Sequence, residues 1–196
     1  MSDKVSKTSL KKYYDYIISN LPKSSSAEFE VAQDNTIVLS TELSDLVNLI
    51  RFLRDDNKCQ FKILADICGV DFPKNNKRFE IVYNLLSIKH NKRIRVKVRA
   101  AENDIVPSIC SLYNAANWLE REIWDMYGVY FENHPDLRRI LTDYGFDGHP
   151  LRKDFPLTGF VELEYDESKS RIISKPVELD QEFRTFDFVS PWEGTS

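Results

Sequence analysis

The hydrophobic pattern of residues 8–53 alternates between helical and strand spacing. Apolar residues at helical intervals predict a first helix over 8–21. A second apolar stripe over 43–53 predicts another helix, with Thr41 as its N-cap. Between the two, apolar runs around a short polar turn predict a β-hairpin over 28–40.

Three strand-like runs follow, at 59–72, 78–88 and 93–99, and short polar turns join them. Parallel neighbours need a long crossover connection, whereas antiparallel strands are joined by short turns. The three runs are therefore predicted to form an antiparallel meander.

Two further helices are predicted before the pattern changes. Pro107 suits the first turn of a helix and predicts one through about residue 115. The tetrapeptide at 117–120 is an Asn-led variant of a capping box, and Gly128 can end the helix it starts. Residues 1–127 are thus predicted to form an α+β domain, with helices packed on a mainly antiparallel sheet.

The second half of the chain is irregular but apolar. The segment 128–159 holds four of the six glycines and three of the eight prolines, together with many large apolar side chains. It is too apolar for a solvated linker, so it wraps its own sheet or docks on another chain, and we favour docking.

A hairpin and an extended C-terminal arm are predicted over 160–196. Aromatic side chains on an extended arm are typical interface anchors, here Phe183, Phe186, Phe188 and Trp192. The alternative is an arm that folds back on its own domain.

Composition narrows the classes of function. The formal net charge of −4 argues against a general nucleic-acid binder. No apolar run approaches the ~20 residues that span a bilayer, and the first residues lack the features of a signal or transit peptide. Three scattered cysteines without a CxxC pair, and the absence of phosphate-binding or HExxH motifs, predict a chain without its own cofactor.

Three carboxylates on the helix predicted after residue 117 would suit acid–base chemistry or metal binding. The alternative, which we favour, is helix capping and pairing with nearby arginines. The carboxylates are Glu120, Glu122 and Asp125, and the candidate partners are Arg121, Arg138 and Arg139.

Two histidines in the irregular segment, His134 and His149, are each followed by proline. With Asp143, Asp147 or Asp154 they would form a metal site, which would make the chain a metal-dependent enzyme. Their spacing matches no ligand pattern, so we favour turn histidines that bind nearby backbone.

The last strand of the meander alternates strictly between apolar and basic residues. Its basic stripe, Arg93, Arg95, Lys97 and Arg99, would suit RNA or an acidic protein surface. The alternative is a sheet face paired with acids of neighbouring strands, such as Glu80.

The run EREIWDMYGVYFENHPDLRRIL at 120–141 resembles the signature of the 30-kilodalton subunit family of respiratory complex I. The resemblance continues through 142–159 and takes in 64–73, 78–88 and 183–193. Two positions depart from the family pattern. Tyr127 stands where the family commonly has Phe. Asn133 stands where Gly is common, and Asn tolerates a positive φ.

The resemblance implies a non-cofactor subunit of the peripheral arm of NADH:ubiquinone oxidoreductase. It would scaffold the quinone-site subunit for electron transfer from NADH to ubiquinone, which is coupled to proton translocation. The implied partners are the 49-kilodalton subunit and cluster-bearing neighbours, which hold the flavin and iron–sulfur clusters. The membrane would be reached only through the complex, and no nucleic acid is implied.

In this interpretation the chain has no catalytic residues, and its signature side chains lock an assembly surface. We therefore expect Asp125→Ala or Arg138→Ala to lower the abundance of the complex. The implied surface comprises Glu120, Arg121, Glu122, Asp125, His134, Arg138, Arg139, Arg152, Lys153, Asp154, Phe186, Phe188 and Trp192.

The length of the C-terminal arm is similar to that of mitochondrial and proteobacterial members. A composition typical of AT-rich genomes favours the matrix side of the mitochondrial inner membrane, with a mitochondrial gene. The alternative location is the cytoplasmic face of a bacterial inner membrane. An alternative function is the equivalent subunit of a membrane-bound hydrogenase or related dehydrogenase.

Overall fold

Three helices lie against a five-stranded sheet in the part of the chain that the computed structural model describes, residues 2–21, 27–33, 36–181 and 183–184. The helices are α1 (Ser2–Asn20), α2 (Leu46–Asp55, after a 3-10 turn at Leu43–Asp45) and α3 (Ala116–Tyr127). The strands are β1 (Ala27–Val31), β2 (Ile37–Thr41), β3 (Ile63–Asp71), β4 (Phe79–Ser87), β5 (Lys92–Ala100), β6 (Ile105–Pro107), β7 (Tyr130–Glu132), β8 (Val161–Asp166) and β9 (Arg171–Pro176).

The main sheet has the strand order β1-β2-β5-β4-β3. β1 and β2 form the predicted hairpin, and β3, β4 and β5 form the predicted antiparallel meander. β2 pairs with β5 in parallel, which is possible because α2, β3 and β4 lie between them in the chain. The predicted class, helices on a mainly antiparallel sheet, is confirmed.

One hydrophobic core lies between the sheet and the helices. Alternate residues of β5, Ile94, Val96 and Val98, are buried in it, as the alternation of that strand predicts. All three helices contribute to the same cluster, with Ile17 from α1, Leu46, Leu49, Ile50 and Leu53 from α2, and Ile123 from α3.

The helix predicted from Pro107 is wrong. Ile105–Pro107 is strand β6, which pairs in parallel with β7, and the Ser108 N–H donates to the Glu132 carbonyl at 2.9 Å. Pro107 has no N–H to donate, but it is the last residue of a short strand with one neighbour, where that loss is tolerated. Long-range pairing with β7 thus overrides the local signal.

Both predicted N-caps are also wrong. Thr41 is the last residue of β2, and α3 begins at Ala116 instead of after Asn117. The N-cap of α3 is Ala115, which makes no side-chain hydrogen bond. The predicted end is confirmed, because Gly128 stands at the C-cap with a φ of 78°.

The chain divides into two units, Met1–Phe155 and Pro156–Ser196. The described part of the second unit holds the predicted hairpin, β8 and β9, and has no buried residue. Between Glu132 and Val161 the chain forms no helix or strand. Phe186, Phe188 and Trp192 lie outside the described residues.

None of the helices in the described residues has the length and apolar character that crossing a membrane requires.

Candidate functional site

The carboxylate of Asp125 organises the start of the irregular segment. Its side chain is fully buried on α3, and one oxygen, Oδ2, accepts the backbone N–H groups of Ile140, Leu141 and Thr142 at 2.8–3.0 Å. The other oxygen accepts the Thr142 hydroxyl at 2.6 Å and the Arg139 guanidinium at 2.7 Å. Five hydrogen bonds therefore fix the chain at 139–142 to one helix residue.

These bonds also fix the charge of Asp125. Burial by itself would raise the pKa of this carboxyl, because water stabilises the charged form. Hydrogen bonds from Thr142, Leu141 and Arg139 outweigh that effect and hold the pKa of Asp125 well below its usual range. The site is consequently a buried anion, and the hydrogen bonds that its side chain accepts from the described residues all come from the segment that it holds.

Two of the three predicted arginine partners contribute to this anchor. Arg139 also donates to the Gly148 carbonyl at 3.0 Å and lies 5.6 Å from the ring of Phe146. Arg121 reaches from α3 to the backbone carbonyls of Arg138 and Arg139, at 3.0 and 2.9 Å. The side chain of Arg138 is 70% exposed and pairs with Asp136, so its predicted pairing with the helix carboxylates is wrong.

Glu120 is buried, and no arginine in the described part of the chain pairs with it, contrary to the predicted pairing. Its oxygens accept the Ser108 hydroxyl at 2.6 Å, the Ile109 N–H at 2.8 Å and the Cys110 thiol at 3.4 Å. Burial raises the pKa of Glu120, against the opposing effect of these bonds. Glu120 thus ties α3 to the loop before it, whereas Glu122 on the same helix is exposed.

The two histidines bind backbone, as favoured, at opposite ends of α3. His134 accepts the Asp136 N–H at Nδ1, so Nε2 carries the hydrogen and donates to the Asn117 carbonyl at 3.0 Å. His149 donates from Nδ1 to the Asp125 carbonyl at 2.9 Å, and burial lowers its pKa. Eight helical residues separate the two carbonyls by about 12 Å. The two imidazoles are therefore not brought together as a metal site.

A different group of metal-ligating residue types does come together. Ligand atoms of Cys110, Glu120 and His134 lie within 4.8 Å of one another, the one such group among the described residues. Both nitrogens of His134 and both oxygens of Glu120 are already engaged by protein hydrogen bonds. The three side chains therefore lie together as part of the hydrogen-bonded junction around α3.

A second buried carboxylate holds the other end of the irregular segment. Asp71, at the end of β3, accepts two hydrogen bonds from Arg78 at 2.7 and 2.9 Å and the Lys153 N–H at 2.7 Å. Arg78 donates in turn to both oxygens of Asp154, at 2.8 and 3.0 Å. The guanidinium of Arg78 holds the pKa of Asp71 below its usual range.

Arg152 completes this second anchor. Its guanidinium donates to the Tyr127 carbonyl at 2.6 Å and to the Glu102 carboxylate at 2.5 Å, and lies 5.2 Å from the ring of Phe79. Residues 133–155 are therefore fixed to the rest of the first unit near both ends, and we call them the anchored segment.

Sequence reasoning missed the partners of the second anchor. The signal for Asp71 was present, since it follows Ile67 and Gly69 at strand spacing and so points toward the apolar face of β3. A carboxylate there needs a partner, and Arg78 lies just across the following turn. Nothing in the local pattern marks Glu102.

The basic stripe on β5 is largely paired within the sheet. Lys97 and Arg99 both contact the carboxylate of Glu80, at 3.1 and 2.9 Å, and Arg95 donates to the Asn84 side chain at 3.2 Å. These pairs fit the alternative of a face balanced by neighbouring acids.

The anchored segment presents apolar side chains to solvent. Tyr144 is 100% exposed, Leu141 62% and Leu151 48%, although the backbone at 140–142 is fixed by Asp125. Asn133, at the start of the segment, has a φ of 61°, the conformation anticipated from its place at a common glycine position.

Comparisons with known proteins match most of the chain. The family model "Respiratory-chain NADH dehydrogenase, 30 Kd subunit" matches residues 39–161. The chain is 53% identical over 185 residues to the C subunit of the NADH-quinone oxidoreductase of Paramagnetospirillum magneticum (strain ATCC 700264 / AMB-1), covering 94% of this chain and 92% of the relative.

Two solved structures are similar in fold. One is a chain of the membrane-bound sulfane sulfur reductase, an archaeal respiratory membrane complex, with a TM-score of 0.63 and 26% identity over 75% of this chain and 85% of that chain. The other is the trypsin-resistant fragment (1-134) of Nqo5, with a TM-score of 0.52 and 25% identity over 65% of this chain and 98% of that chain.

Proposed function

We propose a function on the premise that this chain belongs to the 30 Kd subunit family of respiratory-chain NADH dehydrogenase. It is a peripheral-arm subunit of NADH–quinone oxidoreductase, the enzyme that passes electrons from NADH to a quinone. Its contribution is structural, because the buried charged groups of the site are already hydrogen-bonded to other residues of this chain.

One observation carries this proposal. The anchored segment has no helix or strand, yet two buried carboxylates, Asp125 and Asp71, fix it so that Tyr144 and Leu141 point into solvent. Fixing exposed apolar side chains costs conformational entropy and gains nothing in an isolated chain. It is useful when a neighbouring subunit covers them, because a rigid surface loses less entropy on binding.

The finer features of the assembly belong to the same proposal. The covering neighbour is the 49-kilodalton quinone-site subunit, and the flavin and iron–sulfur clusters lie in partner subunits. By fixing that neighbour, the chain supports electron transfer to quinone and the coupled proton translocation. Contact with the membrane is indirect.

The proposed location is the cytoplasmic face of a bacterial inner membrane. The relative reported above is bacterial, and the mitochondrial location predicted from composition finds no support in it.

A second candidate is the equivalent subunit of a related respiratory membrane complex. The fold similarity to a chain of an archaeal sulfane sulfur reductase complex favours it. The two candidates differ in the electron donor and acceptor of the whole complex and not in the role of this chain.

Complementation tests the proposal and separates the candidates. A bacterial strain that lacks the corresponding subunit of its own NADH–quinone oxidoreductase receives this chain with an affinity tag. We expect restored NADH–quinone reductase activity in membranes and co-purification of the other subunits. A tagged chain that is expressed but neither restores activity nor retains those subunits would contradict the proposal.

A pair of variants tests the exposed surface itself. Leu141→Ser combined with Tyr144→Ser removes exposed apolar area without touching a buried group, so the chain should fold normally and assemble poorly. Ile88→Ser, at an exposed apolar residue in the turn after β4, is the matched control and should assemble normally. Equal assembly of the two would show that this surface is not covered.

A further inference from the structure

The outer edge of β3 has no strand beside it, although α3 packs close to β3 and the Tyr127 ring lies against Gly69. Among the described strands, β3 lies at the end of the main sheet and pairs with β4 alone, so alternate backbone N–H and C=O groups point away from the sheet. No backbone hydrogen bond from the described part of the chain reaches them. Such a row of groups is a template for an additional strand.

The two edges of the sheet differ in their protection. β1 places charged side chains, Glu28 and Glu30, on alternate positions, which discourages the addition of another strand. β3 has an irregularity between Leu64 and Asp66, but 67–70 carry no charged side chain. The central part of β3 is therefore the less protected edge.

A groove of about 210 Å³ runs beside this edge, between β3 and α3. Asp66, Cys68 and Gly69 line it from the strand, and Glu122 and Tyr127 line it from the helix. Successive strand residues point to opposite faces, so a groove lined by both 68 and 69 opens along the edge instead of on one face. It thus lies where an added strand would lie.

The charged groups at this groove have one sign. Asp66 and Glu122 bring two carboxylates, and no lysine or arginine lines the groove. The Cys68 thiol donates to Asp66 at 2.7 Å, and burial, Asp66 and Glu122 raise the pKa of Cys68 to about 11 against the opposing charge of Arg95 on β5. At neutral pH the groove therefore presents carboxylates and a neutral thiol, which complement a basic side chain.

We propose that this groove accepts an extended segment of a neighbouring subunit, which adds to β3 as a sixth strand and places a lysine or arginine beside Asp66 and Glu122. The inference rests on the proposed function, since it takes the neighbour from the same complex.

Hydrogen exchange in the purified complex tests the added strand. The alternate amides within 66–70 that do not bond to β4 should exchange at least about tenfold more slowly in the complex than in the isolated full chain. Equal exchange in an intact complex would overturn the inference and leave the proposed function standing. Failure of the chain to co-purify at all would instead refute the proposed function.

Charge reversal tests the predicted partner. Asp66→Lys with Glu122→Lys should weaken retention of the chain in the complex about tenfold or more, since like charges then face each other. Glu28→Lys with Glu30→Lys makes the same charge change at the other edge of the sheet and should leave retention in the complex unchanged. Equal retention of both double variants, or protection of β3 by dimerisation of the isolated chain, would overturn the proposal.

Discussion

The anchored segment and the hairpin that follows it reach order by opposite means. The anchored segment has no regular secondary structure, but two fully buried carboxylates, Asp125 and Asp71, hold its backbone. The hairpin of β8 and β9 has a regular ladder of hydrogen bonds, yet none of its residues is buried. Regular structure is therefore a poor guide to which region this chain fixes most strongly.

The hairpin depends on weak interactions. Its ion pairs, such as those of Lys175 with Glu162 and Glu164, are exposed and contribute little. A two-stranded hairpin alone is marginally stable in water. In the proposed assembly, its exposed apolar residues would be covered by a partner; they include Val161, Leu163, Tyr165 and Ile172.

The largest effect is expected from Asp125→Ala. The substitution removes five hydrogen bonds and leaves the Arg139 guanidinium without its carboxylate. Breaking a buried charged pair from one side costs about 3–5 kcal/mol of the free energy of unfolding. Urea unfolding of the full chain measures this cost, and the abundance of the complex should fall in parallel.

Asp136→Ala provides the matched control for that experiment. It also removes an aspartate paired with an arginine, but the pair with Arg138 is exposed, and stability should change little. Arg138→Ala likewise breaks no buried pair, so the effect that we expect on the abundance of the complex would not come from a loss of stability of this chain. Equal losses from the two aspartate variants would contradict the claim that burial makes Asp125 the anchor.

Arg78→Ala is expected to have a smaller and more local effect. Asp71 keeps the Lys153 N–H but loses its guanidinium, and Asp154 loses the two hydrogen bonds that Arg78 donates. We expect a cost of about 3 kcal/mol, the lower end for a buried charged pair. Limited proteolysis should cut within 143–155 faster than in the unchanged chain. Faster cutting at 139–142 instead would mean that the two anchors are not independent.

Much of the first unit could be predicted from the sequence, because its periodic apolar pattern determines which face each strand buries. Ile94, Val96 and Val98 illustrate this. The strand that ends at Pro107 could not be predicted from the local pattern, because it pairs with β7, whose residues lie over twenty positions away in the chain. The anchors lie between these cases. Asp125 was identified from the sequence as a candidate site residue. Its hydrogen bonds to backbone N–H groups could not be predicted, because they depend on the conformation of the loop and not on the type of side chain.

Glu120→Gln should have a moderate effect with a characteristic pH dependence. Loss of one hydrogen bond costs about 1 kcal/mol near neutral pH. Burial raises the pKa of Glu120, so its contribution to stability is present below its unfolded pKa of about 4.3 and is lost as pH rises through the folded value. The deficit of the variant should therefore be largest near the unfolded pKa and shrink as pH rises from there through the folded value.

Urea unfolding across that range checks the trend, with Glu122→Gln on the exposed side of α3 as the control for charge loss. A deficit that grows with pH would mean that the fold favours the charged form of Glu120. That result would make Glu120 an anchor of the same kind as Asp125 and would weaken the distinction between the two carboxylates.

The smallest effect is expected from Lys175→Ala in the hairpin. The side chain contacts Glu162 and Glu164 at the surface, where solvent screens ion pairs. Because no buried group loses a partner, the unfolding midpoint of the full chain should stay within error of the unchanged protein. Lys97→Ala on β5 is the comparison, since Glu80 there is buried, and it should lower the midpoint. A loss from Lys175→Ala as large as that from Lys97→Ala would mean that the hairpin is fixed as firmly as the sheet, and the contrast between the two regions would fail.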